Sequence, residues 1–136
     1  VAGFAALSVD VPILGFGVRA PKPKQEENVF NLAVATAETI GAAGRVKRET
    51  VVADCDYVGE GYGLVDQGVI DALTLAARTE GLLLDPVYSG KAMKGLIDQA
   101  RKGAFKGANG GERVVFLHTG GAQGLFGYQS VLEPAL

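Results

Sequence analysis

Two tyrosines and the glycine turns around them are the residues whose types and spacing suit chemistry. Tyr62 stands in Gly59-Glu60-Gly61-Tyr62-Gly63, a segment that can bend tightly and leaves the phenol between two residues without side chains. Tyr88 stands in Asp85-Pro86-Val87-Tyr88-Ser89-Gly90-Lys91, at the mouth of a helix that Ser89 is expected to cap. A phenol at a helix N-terminus can be acidified by the partial positive charge there and so give or take a proton. Plainer readings stand beside both: a surface or interface tyrosine for Tyr62, and a structural phenol bonded to backbone for Tyr88. Lys91 is the one lysine within these loops. It either does chemistry or, more plainly, pairs with a carboxylate or covers the first turn of its helix. His118 is the one histidine and ends an apolar run, where a hydrogen-bonded structural role is the plain alternative. Thr119-Gly120-Gly121 can present a hydroxyl and N–H donors to an aromatic nitrogen or an anion. It is too short for a dinucleotide or P-loop pattern. Asp54, Asp56 and Glu60 could gather for acid–base or metal work, although acids on solvated loops are ordinary.

The elements that must position these groups alternate along the chain. Val1 to Leu7 reads as a helix without a capping residue, and Val11 to Val18 reads as a buried strand. Pro21 and Pro23 prepare a helix from Lys24 to Ile40, with Val29, Ala33, Ala37 and Ile40 as its stripe and Gly41 or Gly44 as its end. Thr50 to Ala53 reads as a strand. Asp66 can cap a helix with Ile70, Leu73 and Ala77 on one face and Gly81 as its stop. After the short run Leu82 to Leu84, a further helix opens at Ser89, with Met93, Leu96, Ile97 and Ala100 as its apolar side and Gly103 as its end. Arg113 to His118 predicts a last strand, and Ala122 to Val131 a last helix. Gly107 to Glu112 reads as a solvent-exposed connection. This order is that of an open α/β layer of three or four strands, in which ligands lie beyond the carboxyl ends of the strands. The three glycine- and tyrosine-bearing loops sit there and together suggest one crevice.

Composition narrows the function classes. The 136 residues include 20 glycines with no collagen-like period, and 13 basic against 15 acidic residues leave a net charge of -2. That balance gives no electrostatic case for nucleic acid. Apolar runs fall short of a membrane span despite a mean hydropathy of +0.21. The single Cys55 excludes an internal disulfide framework and fits a reducing, cytoplasmic setting. One histidine and one cysteine argue against a structural zinc site, so no metal is expected.

Four motifs in register carry a family resemblance. Gly59-Glu60-Gly61-Tyr62-Gly63, Arg78-Thr79-Glu80-Gly81, Asp85 to Lys91 and His118-Thr119-Gly120-Gly121 resemble the carboxy-terminal half of the D-cysteine desulfhydrase and 1-aminocyclopropane-1-carboxylate (ACC) deaminase family. That family belongs to the tryptophan-synthase-beta-like fold, the fold type II enzymes dependent on pyridoxal 5'-phosphate. Val1-Ala2-Gly3-Phe4 is similar to the tail of its phosphate-binding turn. Residues 1–136 are therefore expected to be the incomplete carboxy-terminal part of a lyase, beginning at the end of that turn, with an open, mainly parallel sheet flanked by helices. The resemblance places the Schiff-base lysine and the groups that bind the substrate carboxylate in a missing amino-terminal portion. None of the lysines here matches that catalytic lysine.

By resemblance, the cofactor pyridoxal phosphate would be bound through Ala2, Gly3, Ser89, Thr119 and Gly120, while Tyr62 and Tyr88 would face the substrate as catalytic residues. The implied partners are a small amino-acid substrate, the missing amino-terminal portion and a second copy in a homodimer, without nucleic acid or membrane. One departure divides the family. The deaminase branch resembles this chain except for a Glu at the position of Ser89 and a Leu at that of Thr119. A carboxylate keeps the ring nitrogen protonated, which suits opening a cyclopropane, whereas hydroxyls favour α,β-elimination from a cysteine-like substrate to pyruvate, ammonia and sulfide. D-cysteine desulfhydrase activity is thus the leading expectation, with L-cysteate sulfo-lyase and ACC deaminase as alternatives. Outside this family, a nucleotide-binding α/β module and a partner-binding fragment are the competing classes.

Overall fold

The computed structural model describes residues 1–6, 11–106 and 113–133. The chain divides into two compact units, Val1–Asp56 and Tyr57–Leu136. The expected connection at Gly107 to Glu112 lies outside the described residues.

The first unit holds helix α1 (Ala2–Ala6), strand β1 (Leu14–Phe16), helix α2 (Lys22–Thr39), a 3-10 turn at Arg48–Thr50 and strand β2 (Val52–Asp54). Pro21 precedes α2 and Pro23 occupies its first turn, where a missing N–H costs no intrahelical bond. The helix stops at Ile40, and Gly41 takes the left-handed conformation at φ 72° that a side chain would resist. β1 and β2 pair in parallel, with Leu14 opposite Val52 and Phe16 opposite Asp54. The crossover through α2 is the connection a parallel pair requires. Small residues let these elements approach: Ala2, Ala33, Ala37 and Ala42 form the core, with Val1, Ala6 and Val46 against it. Of the expected α2 stripe, Ala33 and Ala37 are buried, Val29 is half-buried and Ile40 is exposed.

The second unit is helical where it is regular. Helix α3 (Gln67–Glu80) begins as expected at Asp66, whose carboxylate accepts from the Val69 N–H at 3.0 Å, and ends at Gly81 with φ 67°. Its buried face is Val69, Ala72, Leu73 and Ala76, one residue away from the expected Ala77, which is exposed. Helix α4 (Ser89–Arg101) packs on α3. Gly90 makes that contact close, since a Cβ there would lie 2.6 Å from the Asp85 carbonyl oxygen and 3.1 Å from both Leu73 and Val69 side chains. Val69, Leu73, Ala76 and Leu84 form this core, joined by Val65, Met93, Phe116 and Leu132. On α4 itself Met93, Leu96 and Ile97 are half-buried and Ala100 is exposed; full burial falls on Ser89, Gly90, Lys91 and Gly95. A 3-10 helix (Ala122–Tyr128) followed by α5 (Gln129–Leu132) occupies the expected last helix.

The strand expected at Arg113 to His118 fails. Neither it nor the short run Leu82 to Leu84 forms a ladder among the described residues, so the sheet there has two strands rather than three or four. Val115 and Leu117 are 88% and 77% exposed. The apolar run supplies strand propensity, but a strand needs a neighbour to take its N–H and C=O groups, and none is present among the described residues.

Candidate functional site

The second unit brings the two phenols together from loops 26 residues apart. Tyr62 and Tyr88 hydroxyls hydrogen-bond to each other, and their rings meet edge-on with centroids 6.0 Å apart at 68°. Both residues remain about half exposed, 49% and 50%. The hydrogen bond with Tyr62 pushes the Tyr88 phenol above its ordinary range, with some desolvation adding to it. At neutral pH Tyr88 is therefore a proton donor rather than an anion. This shift runs opposite to the acidification that its position at a helix N-terminus suggested in the sequence.

Asp85, which the sequence reading did not single out, organises the start of α4. Its Oδ2 accepts from the Val87 and Tyr88 N–H groups at 2.9 and 2.7 Å. Its Oδ1 accepts from the Ser89 N–H at 2.8 Å and the Ser89 hydroxyl at 2.6 Å. Asp85 thus caps α4, not Ser89, which is buried as the first helical residue and also accepts from the Asp85 N–H at 2.9 Å. Burial works to raise the Asp85 carboxyl, but the hydrogen bonds from Ser89, Tyr88 and Val87 together hold it below the usual range. The local signal was present in Asp85-Pro86: an acid followed by a proline, just ahead of a helix.

The glycine turn leans on the same carboxylate. Gly120 and Gly121 are both left-handed, at φ 100° and 94°, and a Cβ on Gly121 would lie 3.0 Å from Asp85 Oδ1. The space beside Gly120 is open, with no atom within 4 Å of a Cβ placed there. His118 braces the turn. Its Nδ1 accepts from the Gly120 N–H at 3.0 Å, which leaves the proton on Nε2 to donate to the Leu83 carbonyl at 3.1 Å. Both ring nitrogens are thereby occupied, and the histidine has the structural role. Thr119 is exposed on this turn.

Lys91 is fully buried and bonds to no carboxylate among the described residues. Its Nζ donates to the carbonyls of Val58 at 2.6 Å and Gly61 at 2.7 Å. Burial pushes its ammonium below the ordinary range, partly offset by Asp66. The nearby Lys94 takes the ion pair instead, with Asp66 at 2.7 Å. Among the described residues no three His, Cys, Asp or Glu side chains gather to hold a metal, so Asp54, Asp56 and Glu60 do not form the cluster considered above. The Asp54 carboxylate accepts from the Asp56 N–H at 3.0 Å, an ordinary turn bond. Ala2 and Gly3 lie in the first unit at the start of α1, where a Cβ on Gly3 would meet nothing within 4 Å.

Comparison with known proteins assigns the scaffold. A model of the pyridoxal-phosphate dependent enzyme family matches residues 1–120. The chain belongs to that family. Its α/β arrangement, a small open parallel sheet flanked by helices, is part of the tryptophan-synthase-beta-like fold. A crystal structure described as an ACC deaminase homologue superposes over 99% of this chain with a TM-score of 0.80 at 33% identity, and the chain covers 39% of it. The ACC deaminase of Burkholderia cenocepacia is 38% identical over 133 residues, and that of Burkholderia ambifaria 37%. Both alignments cover 98% of this chain and 38% of the relative. The chain therefore spans well under half the length of these family members.

Tyr62, Tyr88 and Thr119 present exposed hydroxyl-bearing side chains, and the backbone at Gly120 is open on its Cβ side, polar groups of the kind that a cofactor ring could meet. Lys91 offers no amine for a covalent link, because both neighbouring carbonyls hold its ammonium in the core. No helix among the described residues is long and apolar enough to cross a membrane.

Proposed function

We propose that this chain is the carboxy-terminal portion of a pyridoxal-phosphate-dependent lyase that releases ammonia from a small amino acid. The family match over residues 1–120 carries the reading, and the 38% coverage of the relatives supports a longer complete protein. The cofactor supplies an electron sink for the pair left when a bond to the substrate α-carbon breaks. Gly120 and Thr119 lie on the turn that would meet its ring, Ser89 bonds the Asp85 carboxylate that the adjoining Gly121 approaches, and Ala2 and Gly3 would border its phosphate. Tyr62 and Tyr88 would sit against the substrate. Tyr88, held protonated by its partner, donates a proton; Tyr62 relays one across their shared hydrogen bond.

The similarity to ACC deaminases supports ACC as substrate better than the cysteine-like amino acid that the residues alone suggested. Elimination from a cysteine-like substrate, as in D-cysteine desulfhydrase or L-cysteate sulfo-lyase, remains a second reading because of one observation. Ser89 is a hydroxyl whose single proton goes to Asp85 at 2.6 Å. It supplies no carboxylate to keep a ring nitrogen protonated. Assaying the complete protein with ACC, D-cysteine, L-cysteine and L-cysteate separates these readings. Ammonia from ACC with neither sulfide nor sulfite from the others is the expected result; rapid sulfide or sulfite release with no turnover of ACC would establish the second reading. Failure to release ammonia from any of them would remove the lyase assignment. A homodimer is proposed for the complete enzyme, and sedimentation of that protein checks it.

A further inference from the structure

Every segment flanking Tyr62 is held from outside its own loop. Lys91 Nζ donates to the Val58 and Gly61 carbonyls, before Tyr62, and the Tyr128 hydroxyl donates to the Gly63 carbonyl, just after it, at 2.8 Å. Gly63 is left-handed at φ 75°, and a Cβ there would lie 3.3 Å from the Tyr128 oxygen. The loop adds one bond of its own, from the Leu64 N–H to the Gly61 carbonyl at 3.3 Å. A glycine-rich loop loses much entropy when it is fixed, so three external bonds in six residues mark a conformation that the surroundings impose.

A fully buried ammonium is a costly way to tie a loop. Hydrogen bonds from a charged donor are also about twice as strong as neutral ones. Lys91 lies on the first turn of α4, three residues after Tyr88. The same rigid element therefore carries one phenol and grips the backbone of the other. We propose that Lys91 and Tyr128 are positioning residues, a two-sided clamp on the Val58–Gly63 backbone that sets the Tyr62 hydroxyl against that of Tyr88. Neither side chain touches substrate in this scheme. This inference rests on the Tyr62–Tyr88 pair acting in turnover, as proposed above, but the clamp itself is readable without any substrate.

The test uses the complete protein with its cofactor bound, comparing wild type with Lys91→Met and Tyr128→Phe. Hydrogen exchange at the Leu64 amide reports the clamp, and exchange across α3 and α4 reports the fold. Tyr128→Phe removes one hydroxyl from a half-buried site and should speed Leu64 exchange about 5-fold, the effect of one neutral hydrogen bond. Lys91→Met removes two charge-assisted bonds and should speed it about 10²-fold or more. Exchange in α3 and α4 should stay within a few-fold of wild type. On whichever substrate wild type turns over, kcat should fall up to roughly 10²-fold for Lys91→Met, as expected when a catalytic group is misplaced, while KM changes little. If Lys91→Met does not fold, Lys91→Gln, which keeps amide N–H donors on a shorter, uncharged side chain, is judged by the same criteria. Unchanged Leu64 exchange, or an equal rise in loop and helices, would overturn the clamp, as would misfolding of both Lys91 variants. A loosened loop with full kcat would overturn the positioning role. A wild-type protein inactive on every substrate with a loop that loosens as described would retain the clamp and discard the lyase reading.

Discussion

At the scale of single residues, the decisive contact is between two phenols that the sequence presents 26 positions apart. The spacing of Gly61-Tyr62-Gly63 and the placement of Tyr88 before a helix were enough to single out both residues. Nothing local said that they would touch, because the contact depends on a loop closing against a helix start. The Phe variants separate chemistry from packing. In the complete enzyme, Tyr62→Phe or Tyr88→Phe should lower kcat by about 10²-fold, the usual contribution of a positioned acid or base. A merely structural phenol would instead lower stability by about 1 kcal/mol and leave kcat unchanged. Steady-state kinetics and thermal melting on both variants distinguish the outcomes. The sequence also singled out His118 and Lys91, but not their partners, and Lys91 lies in the first turn of α4 rather than in a loop. Backbone carbonyls and N–H groups carry no residue-type signature, and Leu83, Gly120, Val58 and Gly61 supply all of the bonds made by these two side chains.

At the scale of elements, α3 and α4 are held by carboxylates at their N-termini, and one of the two was legible. Asp66 precedes α3 in the position that a capping residue normally takes, and Asp66→Ala should cost about 1 kcal/mol in a melting experiment, more if Lys94 is left without its partner. Asp85 lies four residues ahead of Ser89, outside the usual capping position, so Ser89 was credited with its role. The Asp85 carboxyl is held low in the folded state, so its contribution to stability is complete above about pH 4, the unfolded value, and fades as pH falls through the lower folded value. Acid melting should therefore steepen below about pH 4 in wild type and flatten in Asp85→Asn, which should also lose about 1–3 kcal/mol at neutral pH. Equal acid sensitivity of the two proteins would show that the Asp85 carboxyl titrates alike in the folded and unfolded states and is not held low. Gly90→Ala addresses the α3–α4 contact. A methyl group 2.6 Å from the Asp85 carbonyl must displace backbone, and a loss of about 1–3 kcal/mol is expected. The helix ends at Gly41, Gly81 and Gly103 were readable because each left-handed glycine is a local signal. That Arg113 to His118 forms no strand was not readable, since pairing is a property of two segments rather than one.

At the scale of the whole molecule, the described units each have their own small core, and the chain covers 38% of the length of its ACC deaminase relatives. The α/β class was readable from the alternation of apolar periods, and the family from four short motifs in register. The substrate was less readable. Residue types at Ser89 and Thr119 argued for a cysteine-like amino acid, while the relatives of this chain are named for ACC. A few side chains near a ring nitrogen tune chemistry that the remaining residues of the site also shape, so they do not fix the substrate alone. Cofactor dependence is common to every substrate reading. The most direct measurement is ammonia release from ACC and the cysteine-like substrates by the complete protein, before and after the cofactor is stripped and then after pyridoxal phosphate is restored. Activity that disappears with the cofactor and returns with it is the predicted result; ammonia release that continues unchanged in the stripped protein, or a protein that retains no pyridoxal phosphate at all, would contradict it.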